Sequence, residues 1–122
     1  MFETIYWRIF IDVTSKEKAQ KVINRLSQVI GEINKVKLEP YWKDKSKYEL
    51  VCETKLLIEE PDKAVFYVLQ LVNQLGREIN VTGPNTYDKG QVEFEGFCSS
   101  PTFVGLSSWF HFHIDNSGSL FS

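Results

Sequence analysis

Ser107-Ser108-Trp109-Phe110-His111-Phe112-His113-Ile114-Asp115 alternates without a break, and a period of two gives a β-strand with unlike faces. Phe110, Phe112 and Ile114 point into a core, while Trp109, His111, His113 and Asp115 point the other way. Both histidines of the chain therefore share one face with a tryptophan. The preceding stretch Gln91-Val-Glu-Phe-Glu-Gly-Phe-Cys98 alternates in the same manner, with Gln91, Glu93, Glu95 and Phe97 on its polar face. Paired as a hairpin, the two strands are expected to set Glu95 opposite His111, Glu93 opposite His113 and Phe97 opposite Trp109.

Working back along the chain, Thr4 to Val13 reads as a first strand, with Ile5, Trp7, Ile9, Ile11 and Val13 inward and Tyr6, Arg8 and Phe10 outward. Thr14-Ser-Lys-Glu17 matches a capping box with Thr14 as N-cap, and Ala19, Val22, Ile23, Leu26, Val29 and Ile30 follow at helical spacing until Gly31. Ile33 to Tyr41 is a strand with Val36 and Leu38 inward, ended or placed at an edge by Pro40. The polar run Lys43–Lys47 is a hairpin loop, and Tyr48 to Ile58 is the next strand. Pro61 opens a second helix that runs to Leu75, with Phe66, Tyr67 and Leu69 widening its apolar surface and Gly76 closing it. Glu78 to Thr82 is a short strand, and Gly83 to Gly90 is dense in turn formers.

This order, β-α-β-β-α-β followed by β-β, predicts an α+β domain over residues 1–115. It is an antiparallel sheet with two helices on one face, a ferredoxin-like core extended by a C-terminal hairpin. Residues 116–122 are expected to form a flexible tail. The sheet face away from the helices is left open, and the outward residues of every strand gather there.

Composition narrows the function. With 122 residues, 43% hydrophobic and 25% charged, the chain is long enough to bury a core without a metal or disulfide staple. No apolar run approaches the roughly 20 residues of a membrane span, and Met1-Phe-Glu-Thr-Ile5 lacks the features of a signal peptide, so the expected location is cytoplasmic. Cys52 and Cys98 fall on inward positions and read as small apolar core residues. The net charge of −2 hides an excess of four basic groups in residues 1–48 and of six acidic groups in residues 49–122. The acidic half opposes binding of bare nucleic acid and suits a basic protein partner.

Three readings compete for the open face. His111 and His113 facing Glu93 and Glu95 could hold a divalent metal or do acid–base work as a small-molecule or metal-dependent activity. The simpler account is Glu–His pairing along a polar sheet face, with no metal, cofactor or catalytic residue. The outward aromatics Tyr6 and Phe10 could stack nucleobases, but the acidic surroundings repel phosphate. The third reading is a protein-binding surface made of Glu93, Glu95, Phe97, Trp109, His111, His113 and Asp115, since aromatic side chains set among charges are typical of interfaces.

The chain length, the acidic second half and the ending Phe94-Glu-Gly-Phe97 with Gly105 and Trp109-Phe-His-Phe112 resemble the small bacterial immunity proteins of contact-dependent and other polymorphic toxin systems. The resemblance implies one-to-one inhibition of a secreted toxin domain, often a nuclease, with no catalysis by the immunity protein. It transfers no individual site residue.

Overall fold

A computed structural model describes residues 1–102 and 107–117. The elements are β1 (Phe2–Ile11), α1 (Lys16–Ile30), β2 (Asn34–Tyr41), β3 (Asp44–Ile58), α2 (Pro61–Asn73), β4 (Gly76–Arg77), β5 (Asn80–Thr86), β6 (Val92–Cys98), β7 (Ser100–Pro101) and β8 (Ser107–Asp115). Six strands form one sheet in the order β2-β3-β1-β8-β6-β5, and every neighbouring pair is antiparallel. β4 and β7 make a separate two-stranded ladder. The chain is thus α+β, with two helices and an antiparallel sheet.

The inward residues of β1 (Ile5, Trp7, Ile9, Ile11), β3 (Leu50, Cys52), β6 (Phe94, Cys98) and β8 (Phe110, Phe112, Ile114) are all almost fully buried. They form a single core with Ala19, Val22, Ile23 and Leu26 of α1 and Ala64, Val68 and Val72 of α2. Both helices therefore cover the same sheet face. Full burial of one large apolar side chain is worth about 1.5–3 kcal/mol, so this shared core dominates the fold. The one polar atom that Trp7 brings into it is satisfied, because indole Nε1 donates to Thr54 Oγ1 at 2.9 Å.

Strand order differs from the ferredoxin-like expectation in one respect. That arrangement seats the strand after α2 beside β1, whereas β8 holds that seat and β5 lies at the far edge. The reason is burial. β8 inserts three core residues that are 0% exposed, while every residue of β5 is exposed and its Gly83-Pro84 pair suits an edge.

Several local expectations shift as well. Ser15, not Thr14, caps α1, accepting a hydrogen bond from the Lys18 N–H at 3.3 Å. Val36 is exposed rather than inward, because the β2–β3 register shifts between Lys35 and Lys37 and turns it outward. The Lys43–Lys47 loop shrinks to a turn at Trp42 and Lys43, with β3 beginning at Asp44. Phe66 and Tyr67 are exposed on α2, so its buried stripe is no wider than that of an ordinary surface helix. Of the expected tail, Asn116 and Ser117 are held. The Asn116 side chain accepts from the Val92 N–H at 2.8 Å and donates to the Gly90 carbonyl at 3.1 Å, and Ser117 bonds Asp115. The remaining tail positions, 118–122, lie outside the described residues, as does Gly105.

Candidate functional site on the open sheet face

The β6–β8 register decides how the site is assembled. Glu93 pairs with Asp115, Glu95 with His113 and Phe97 with His111. The expected pairs are therefore each displaced by two residues along β8. A slip of two keeps every side chain on its own face, so alternation could not detect it. Packing selects the observed register: Gly96 pairs with Phe112, and a Cβ at Gly96 would lie 2.7 Å from that ring.

The functional groups still converge, His111 reaching Glu95 along a diagonal. His111 Nε2 lies 3.2 Å from Glu95 Oε2, and His113 Nδ1 lies 3.6 Å from the same oxygen. His113 Nε2 is bonded to Asp115 Oδ2 at 2.8 Å. A proton on Nε2 lets each ring donate its short bond, His111 to Glu95 and His113 to Asp115. Asp115 also accepts from the Ser117 N–H and hydroxyl at 3.1 and 2.7 Å. Burial alone would raise its pKa and is the largest single influence. The hydrogen bonds from Ser117 and His113 together outweigh it and hold the carboxyl below its ordinary value. Glu93 and Asp115 border a shallow hollow of about 270 Å³ with Tyr87, Gln91, Val92 and Ser117. Among the described residues, no group of three or more His, Cys, Asp or Glu side chains is arranged to hold a metal ion.

Two rows of side chains cross this face. One is aromatic: Tyr41 of β2 contacts Phe10 of β1 (ring centroids 4.6 Å apart), Phe10 contacts Trp109 of β8 (5.3 Å), and Trp109 stacks on Phe97 of β6 (6.4 Å). Trp42, three-quarters exposed, extends the row past Tyr41, and His111 stacks beside Trp109 at 6.1 Å. The other row is ionic. Glu49 of β3, only 5% exposed, receives Arg8 Nε of β1 and Lys37 Nζ of β2, each at 2.6 Å. Burial opposes ionisation of Glu49 most strongly, but the two cations together reverse the effect and lower its pKa. Arg8 pairs in register with His111, which continues the row to Glu95. The guanidinium of Arg8 also lies over the Phe10 ring at 5.0 Å and the Trp109 ring at 5.9 Å.

All seven residues expected to form a partner-binding surface thus lie on one face of adjoining strands. Phe97 and Trp109 form the aromatic centre, Glu95 is bonded to His111 and lies 3.6 Å from the His113 ring, and Asp115 is the most heavily engaged. Tyr41, Trp42 and the Arg8–Glu49–Lys37 triad complete the face but were not part of the expected surface. Tyr41 was recoverable, since it shares the odd-numbered outward parity of Lys35, Lys37 and Glu39. Comparison with known protein families, curated proteins and solved structures finds no match to this chain. Among the described residues, no helix is long and apolar enough to cross a membrane.

Proposed function

We propose that the chain is a non-catalytic protein-binding domain of the immunity-protein kind, which engages a basic partner, a toxin domain, through the open sheet face. The observation that carries the reading is the aromatic row Tyr41–Phe10–Trp109–Phe97. A partly exposed apolar strip across four strands, bordered by Glu93, Glu95 and Asp115, has the make-up of an interface centre with a charged rim. The acidic balance of residues 49–122 supports the toxin-directed form of it. In this reading the protein acts in the cytoplasm, and β1, β2 and β3 with α1 are the remnant of a ferredoxin-like core.

The test is to isolate the partner with tagged wild-type protein and measure its affinity for variants. Trp109→Ala is expected to cost about 2 kcal/mol or more as a central anchor. Glu93→Lys with Glu95→Lys is expected to act chiefly on the association rate, more at low salt than at high. Unchanged binding by both folded variants would move the interface elsewhere. The competing metal-dependent reading predicts stoichiometric, tight Zn²⁺ binding lost in His113→Ala. We expect calorimetry to show none, because the imidazoles and carboxylates bond one another in a nearly flat array that is poor for tetrahedral coordination.

A further inference from the structure

Arg8 is a cation set among the aromatic and acidic side chains of the site, and its position is fixed by groups from three strands, β1, β3 and β8. Nε donates to Glu49, and the guanidinium plane rests against Phe10 and Trp109. Guanidinium carries five N–H donors. Among the described residues Arg8 makes no other hydrogen bond or ion pair than the one through Nε. The side chain is 44% exposed, and neither Nη group has a hydrogen-bond partner among the described residues, so the fork is available from a clamped base. Glu49 cannot fully neutralise Arg8, because it is shared with Lys37 at the same 2.6 Å.

Building on the protein-binding reading above, we infer that Arg8 is a preformed receptor for a carboxylate, an Asp or Glu side chain presented by the partner beside an apolar group that lies on Trp109 and Phe10. A planar fork held by its Nε matches a carboxylate end-on through both Nη groups, and little side-chain entropy remains to be lost on binding. The surroundings select a carboxylate over a phosphate. Glu49 is bonded to Arg8 and Glu95 to the His111 paired beside it, and a phosphate would bring a second negative charge towards them. The epitope is therefore bipolar: one acid for Arg8, with basic groups for Glu93 and Glu95 farther along the same face, one and two pairs beyond His111. This qualifies the simple picture of a uniformly basic partner.

The inference is testable without the partner. Uniformly ¹⁵N-labelled protein is titrated with 3-phenylpropionate, and the Arg8 Nε–H and Trp109 indole N–H resonances are followed. Saturable shifts of both are expected, weakened about tenfold by the neutral analogue 3-phenylpropanamide and by Arg8→Lys, which keeps a cation near Glu49 but loses the fork. Phenyl phosphate is expected to bind no more tightly than the carboxylate. Absence of shifts, equal affinity for the amide, undiminished binding by Arg8→Lys, or tighter binding of phenyl phosphate would each overturn the assignment. Failure of the Trp109→Ala partner assay with a successful titration would instead sink the protein-binding reading alone.

Discussion

Glu49 shows how a single side chain can hold three strands. It stands on the outward side of β3, yet Arg8 and Lys37 close over it until it is buried. A carboxylate in that position is tolerable only because both charged partners hydrogen-bond it. Glu49→Ala leaves two cations facing each other without their anion, and we expect a loss of about 2–3 kcal/mol in urea denaturation. Glu39, exposed and among the described residues bonded only to Lys37 at 3.2 Å, should tolerate alanine with less than about 0.5 kcal/mol of change. Gly96 is critical for a different reason. A Cβ there would lie 2.5 Å from the Asn80 carbonyl oxygen and 2.7 Å from the Phe112 ring, and the backbone atom cannot rotate away. Gly96→Ala should therefore destabilise by about 1–3 kcal/mol and separate β5 from β6. Burial pushes the Cys52 thiol up to about 12, so the folded protein should leave Cys52 unmodified by thiol reagents at neutral pH, as mass spectrometry would show.

At the scale of elements, α1 offers a direct test of its own start. Ser15 has extended backbone and accepts from Lys18 N–H, so Ser15→Ala should cost about 1 kcal/mol while Thr14→Ala should cost little. Equal losses in thermal denaturation would return the cap to Thr14. The one-residue error has a simple origin, since Thr14-x-x-Glu17 and Ser15-x-x-Lys18 both supply a hydroxyl and only backbone geometry distinguishes them. The strands repeat this lesson. Alternation in β1, β6 and β8 made the core face legible, because each inward residue had to be apolar. Register was not legible, because a two-residue slip leaves both faces intact. Neither was the seat of β8 beside β1, which depends on β8 and β5 competing for the buried position. The site was legible to the same extent: its residues could be assigned to one face, but not the register that sets Glu95 opposite His113 and leaves it to reach His111 along a diagonal. The burial of Glu49 had no local signal at all, since it requires Arg8 and Lys37 from two other strands.

Across the whole molecule, the same face sets how stability responds to pH. Glu49, between β1, β2 and β3, and Asp115, at the end of β8, both have carboxyl pKa values lowered in the folded state, in each case against an opposing effect of burial. Their stabilisation is present above the unfolded carboxylate range of about 4 and is lost as pH falls through the lower folded values. The alkaline side runs in the opposite sense. Tyr6 is raised first by burial and then by the charges of Asp115, Glu53 and Glu3, and Lys37 is raised by its bonds to Glu49 and Glu39. Their contributions are present below the unfolded values of about 10 and are lost as pH rises through the folded ones. The expected profile is a plateau with separately assignable limbs. Urea midpoints measured across the pH range should fall on the acid side for the wild type, less steeply for Glu49→Gln and for Asp115→Asn. Tyr6→Phe should flatten only the alkaline limb. An acid limb in Glu49→Gln as steep as that of the wild type would mean that the triad is not ionised as described. It would also remove the basis for treating Arg8 as a clamped guanidinium, because the clamp is the Glu49 carboxylate.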